Sequence, residues 1–203
     1  MKCYGLVFLA LFSSLTVLAQ TPAPTKQSLA IAAITKLGGT VEVDNQLPGN
    51  PVVKVDLHET SITDTDLACL KDLPELRQLD LRKTHIGDAG VAHLKNLTKL
   101  RFLNLFRTQL GDQGLKQLTK LRQLETLLIG GTQVTDQGLA QLKAFPQLRK
   151  LSLFDTKIGD AGLPHLKGLS SLEVLLLEKS QVSQEGIKLL QQALPKVRFG
   201  EPT

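Results

Sequence analysis

Residues 76–99 read LRQLDLRKTHIGDAGVAHLKNLTK, and residues 100–123 follow as LRFLNLFRTQLGDQGLKQLTKLRQ. The two segments share apolar residues at positions 1, 4, 6, 11, 16, 19 and 22 of a 24-residue unit. The same unit starts at Val52, Leu76, Leu100, Leu124, Leu148 and Leu172, six copies without insertion or deletion. All 42 sites that the seven positions define are apolar, in a chain that is 42% apolar overall. Chance would produce that at a rate on the order of 10^-16. The repeat therefore decides the fold.

Each position has a physical reading. Positions 4 and 6 alternate, as the inward residues of a short strand do. Positions 16, 19 and 22 are three apart and line one face of a short helical segment. A strand, a helix and no room to return mean that successive strands lie side by side in parallel. One such coil cannot bury its own apolar face, but six stacked coils share a continuous core. The expected fold is α/β, a solenoid in a horseshoe arc, with a parallel sheet on the concave face and short helices on the convex face.

Polar positions repeat as well. Thr60, Thr84, Thr108, Thr132, Thr156 and Ser180 fall at position 9, just past the strand, where a hydroxyl ladder could satisfy turn backbone groups between neighbouring coils. Asp64, Asp88, Asp112, Asp136 and Asp160 fall at position 13 and fit helix N-caps or first-turn acids. No Gly-Asp-rich ligand loop accompanies them, which argues against calcium.

The run Leu-x-x-Leu-x-Leu-x-x-Thr-x-Ile-x-Asp-x-Gly-Leu resembles the leucine-rich repeats of the ribonuclease-inhibitor-like superfamily. It is most similar to the bacterial secreted type, with 24-residue units carrying Thr-x-Val-Thr-Asp-x-Gly-Leu. The resemblance covers residues 52–195, about 70% of the chain. Thr stands at position 9 where that superfamily often has Asn or Cys. The repeats of F-box proteins share the Asp-x-Gly-Leu stretch. The resemblance implies protein binding, although fold alone does not settle function.

Outside the repeats, residues 1–19 read as a signal peptide. Lys2 precedes an apolar run from Tyr4 to Leu18, and Val17 and Ala19 suit the signal peptidase subsites. The run is too short for a comfortable membrane span. It points to a secreted or periplasmic protein and away from a cytosolic F-box role. Residues 20–26 read as a Pro-stiffened linker, residues 27–51 as an N-terminal cap of helix plus strand, and residues 196–203 as a C-terminal tail. Cys69 alone remains after Cys3 leaves with the leader, so no intrachain disulfide is expected. The formal charge of +5 leans towards an acidic partner but serves solubility as readily.

No nucleophile elbow, P-loop, dinucleotide fingerprint or metal-ligand spacing occurs, so the chain reads as non-catalytic, without a cofactor, metal or nucleic-acid partner. His93 and His165 read as surface residues of the helical side. Asp56, His58 and Asp80 could approach one another on the first two strands, but Lys54 and Arg82 lie equally close. Asn96-Leu97-Thr98 is a glycosylation sequon that matters only in a eukaryotic secretory route.

The outward strand residues are the better candidates. Coils one and two present charges there, including Arg77 and Arg82. Coils three to five present Phe102, Phe106, Leu128 and Phe154 around Gly130, bordered by Arg101 and Arg107. Aromatics beside arginine suit a protein or peptide interface. A carbohydrate or cell-wall ligand is the alternative, weakened by the absence of Trp and the single Tyr. Phe106, Gly130 and Phe154 share position 7 in consecutive coils, which predicts a slot one side chain wide, floored by glycine and closed below by Leu128. A monomer is expected. Mass spectrometry of exported protein should find a mature N-terminus at Gln20; retention of Met1 would contradict export.

Overall fold

The computed structural model describes residues 23–200; the segment read as a signal peptide lies outside them. Strands β1 (Thr40–Val43), β2 (Val52–Asp56), β3 (Gln78–Asp80), β4 (Phe102–Asn104), β5 (Thr126–Leu128), β6 (Lys150–Ser152), β7 (Val174–Leu176) and β8 (Arg198–Phe199) form one sheet in sequential order. β1 pairs antiparallel with β2, and every later pair is parallel. The register runs Lys54, Gln78, Phe102, Thr126, Lys150, Val174, Arg198, a step of 24 residues each time. The segment read as a tail thus supplies a further strand in the same register.

Helix α1 (Lys26–Lys36) starts at Thr25, whose hydroxyl accepts from the Ser28 N–H at 3.0 Å. It takes in the last residue of the segment read as linker. Ala30 and Ile34 bury its inner face against the first coil.

On the opposite side of each coil the apolar step of three residues matches the three residues per turn of a 3-10 helix. That is what forms over Asp64–Asp72, Gly138–Ala144 and Asp160–His165. Short α-helical turns, α2 (Asp88–Val91) and α3 (Asp112–Gln117), pass into 3-10 geometry. The sixth coil differs. There α4 (Gln184–Ala193) is continuous, and its apolar residues follow the α-helical period. Leu190 and Leu194 are buried while Ala193, at position 22, is exposed. Val182 and Ile187 are half-buried, and the other 39 repeat-defining sites are all buried.

The position-9 threonines do not reach between coils as expected. Each hydroxyl from Thr60 to Thr156 donates to the carbonyl three residues back in its own coil, at 2.6–2.7 Å. The reason is the turn that precedes it. Position 8 is left-handed in all six coils, with φ from 53° to 64°, which folds the hydroxyl back onto the strand end.

The position-13 aspartates link the coils instead. Each stands at or near the first helical turn, yet its carboxylate accepts a backbone N–H from position 12 of the next coil. Asp64 takes Gly87, Asp88 takes Gly111, Asp112 takes Thr135, Asp136 takes Gly159 and Asp160 takes Ser183, at 2.7–2.9 Å. Thr135 and Ser183 add their hydroxyls. The Ser183 hydroxyl, and then its N–H, hold the Asp160 carboxyl below its usual range.

The same carboxylates occupy the space where a side chain would stand at position 15 of the next coil. A Cβ on Gly90, Gly114, Gly138, Gly162 or Gly186 would collide with the Asp64, Asp88, Asp112, Asp136 or Asp160 oxygen respectively. Coil one has no aspartate before it and carries Asp66 at position 15, where it closes a capping box with Thr63. Coil six carries Gln184 at position 13. The acid and the glycine are therefore offset by one coil.

Gly138→Ala should cost ~1–3 kcal/mol by overpacking, and Asp112→Ala ~1–3 kcal/mol by stranding the Thr135 N–H. The double variant should cost clearly less than the sum, with a coupling of ~1 kcal/mol or more. Urea denaturation of the four proteins measures this; additive costs would contradict the lock.

Candidate functional site

The outward residues of β2 to β7 build the concave surface, and its two halves differ in charge pairing. On the first coils the cations are spoken for. Lys54 pairs with Glu42 and Lys83 with Glu59, both at 2.6 Å, Arg77 with Asp44 at 3.4 Å and Arg82 with Asp80 at 3.8 Å. Asp56 accepts both the backbone N–H and the ring nitrogen of His58. Burial acts to raise the Asp56 carboxyl, but His58 outweighs it and holds it below the ordinary value. Asp80 is taken up by Arg82 and by the Asn104 amide. Among the described residues no three His, Cys, Asp or Glu side chains are grouped to hold a metal ion. Cys69 is half-buried with its thiol pushed up by burial, and it forms no disulfide among the described residues.

The residues expected to form one binding face fall into two places. Arg77, Arg101 and Phe102 line a polar groove of about 670 Å³ at the strand starts, with Glu75, Lys99 and Glu125. Lys99 pairs there with Glu75 at 2.6 Å and Arg101 with Glu125 at 3.3 Å. Arg82, Phe106, Leu128 and Phe154 line a second pocket of about 330 Å³, with Lys150, Leu176 and Glu178. Sequence reasoning missed these last three. For Leu176 position 5 held the signal, because it reads Asp56, Asp80, Asn104, Leu128, Ser152, Leu176, and the two leucines break a polar row.

Phe102, Phe106 and Phe154 are half-buried, not exposed, and the last two cover one another. The Phe106 and Phe154 ring centroids are 6.2 Å apart and the rings are tilted by 51°. This closes the expected slot. Gly130 has no side chain to keep the rings apart, so they lean together across it and bury their edges, a favoured aromatic geometry. The Arg107 guanidinium lies 5.1 Å from the Phe106 centroid and the Lys179 ammonium 5.2 Å from that of Phe154. The result is a cation, ring, ring, cation array across coils three to six.

Gly130 itself is buried, and a Cβ there would lie 2.7 Å from the Phe154 carbonyl and 3.1 Å from the Phe106 ring. Gly131 takes the left-handed position-8 conformation that the other coils impose on Glu59, Lys83, Arg107, Asp155 and Lys179. The glycine pair thus has two separate causes, a close approach and a turn.

This architecture is that of a leucine-rich-repeat solenoid. A family model described as "FBD-associated F-box protein At5g56370, LRR repeats" matches residues 90–202, and one described as "Leucine Rich repeat" matches residues 74–94. The chain belongs to the leucine-rich-repeat family. Among solved structures it is similar to an internalin (inlF) from Listeria monocytogenes str. 4b F2365, with a TM-score of 0.60 and 23% identity. That match covers 70% of this chain and 39% of the internalin chain, and it shows the fold alone. No curated protein matches. Among the described residues no helix is long and apolar enough to cross a membrane.

Gly130→Ala should lower stability by ~1–3 kcal/mol by pressing on the Phe154 strand end and parting the rings. Denaturation midpoints measure it; a neutral substitution would mean that the rings do not close over Gly130.

Proposed function

We propose that the chain is a secreted, non-catalytic interaction module that binds a protein or peptide partner through its concave face. The carrying observation is the apolar cluster of Phe106, Leu128, Phe154 and Leu176 on a sheet whose first coils carry paired charges. Apolar surface of this kind, rimmed by arginine and lysine, is what partner surfaces desolvate. The family relation supports an interaction role, and the apolar run ending before Ala19 supports export. The protein acts as a monomer in this reading, with no cofactor.

A second reading has its own observation. Phe102 is the one aromatic residue in the larger groove and stands among Gln78, Gln123, Thr126 and charged side chains. That composition suits a carbohydrate face, and a glycan array would separate it from a peptide ligand.

Phe106→Ala combined with Phe154→Ala should leave folding close to normal and weaken binding of the native partner by ~2 kcal/mol or more. Partner capture from the native secretome, followed by titration of both proteins, measures the difference. Unchanged affinity would move the binding site elsewhere.

A further inference from the structure

One backbone feature of the apolar cluster has no explanation in folding. At position 7 of most coils the backbone N–H meets the side chain at position 5. In coils one, two, three and five that side chain accepts it. His58 donates to Asp56 and Arg82 to Asp80, both at 3.0 Å, Phe106 to Asn104 at 3.1 Å, and Phe154 to the Ser152 hydroxyl at 3.5 Å. In coils four and six position 5 is Leu128 and Leu176, which accept nothing. The Gly130 and Glu178 N–H groups donate no hydrogen bond among the described residues.

A buried backbone donor without an acceptor is costly and rare. Two donors without an acceptor here flank one coil, the one at Gly130 in a buried residue and the one at Glu178 in a half-buried residue, and the two leucines beside them line the same pocket. Lys150, from the coil between, lines that pocket too and takes part in none of the eight ion pairs of the described residues. The chain itself supplies the complement in its first two coils, where the acceptor on this N–H is a carboxylate.

We propose that the pocket binds an acidic residue of an extended peptide, whose carboxylate accepts from the Gly130 N–H and pairs with Lys150. A large apolar side chain of the same peptide rests on Leu128 and Leu176. Two strand spacings, ~10 Å, separate Gly130 from Glu178. That is about three residues of extended chain, so the Glu178 N–H can take a peptide carbonyl beyond the apolar residue. The Glu178 carboxylate stands at that far end and favours the orientation with the acid towards Gly130. Entry turns one of the two phenylalanine rings aside, a side-chain motion that does not disturb the sheet. This inference rests on the concave-face reading and narrows the partner to an acidic–apolar segment.

Amide resonances of the full 15N-labelled chain, titrated with two blocked peptides, test it. One probe is acetyl-Gly-Asp-Leu-Val-Gly-amide, and the other has Asn in place of Asp. The Gly130 and Glu178 amide protons should move downfield with the Asp peptide, and the Asn peptide should bind about tenfold or more weakly. Leu128→Asn, which supplies the oxygen that Asn104 supplies in its own coil, should abolish the Gly130 response. Lys150→Gln should erase the difference between the two peptides in a chain whose spectrum is otherwise unchanged. Equal binding of the two peptides, or responses at Phe106, Leu128 and Phe154 without Gly130, would overturn the acidic site and leave the concave-face reading intact. Responses confined to the helical side would overturn both. Absence of binding by either peptide at millimolar concentration would overturn the acidic site.

Discussion

The carboxylate that each coil lends to the next is the contact on which the rest of the structure depends. Burial of leucine layers is strong but non-directional, and it would tolerate some sliding of one coil over another. The bond from Asp88 to the Gly111 N–H, 2.7 Å long, does not tolerate it. Gly114 has no side chain because the Asp88 oxygen fills that space, so the glycine and the acid fit only at one spacing. The contact repeats at every junction from coil one to coil six, and the constant 24-residue strand register runs with it.

Because the helical side holds the spacing, the strand side is free to vary. Outward positions change from charge pairs to rings to leucines without any change in register. Position 5 illustrates the exchange between self-sufficiency and reach. Where it is polar it satisfies its own turn, as Asn104 does for Phe106. Where it is Leu128 or Leu176 it adds apolar surface and leaves a donor open. The same two positions lie next to the ring pair and its flanking cations, so local folding requirements are relaxed at the surface proposed to meet a partner.

Much of the fold was legible from the repeat. The inward strand positions, the parallel order and the layer of helical turns follow from periods of two and three. The 3-10 geometry was also legible, since Leu139, Leu142 and Phe145 are three apart, whereas Ile187, Leu190 and Leu194 are not. The aspartates do stand in first turns, as with Asp64, Asp88, Asp112 and Asp160, but their bond to the next coil was missed because a single copy shows only Asp and Gly two residues apart. Only the offset between copies, Asp66 at position 15 of the first and Gln184 at position 13 of the last, shows that the pair joins neighbours. The concave site was less accessible. Position 7 placed Phe106, Gly130 and Phe154 in a row, but rotamers close the gap between the rings, and backbone spacing carries no information about them. Lys150 and Glu178 reach the pocket through long side chains from different positions in the coil, which a positional pattern does not convey.

The central claim is that the partner lies on the strand side of coils three to six. A photo-crosslinking amino acid in place of Leu128, and in a second protein in place of His93 on the helical side, addresses it directly in whole culture of the native source, cells and medium together. The account predicts one dominant crosslinked protein from position 128 and none in common from position 93. Crosslinking of the same protein from position 93 alone would contradict it.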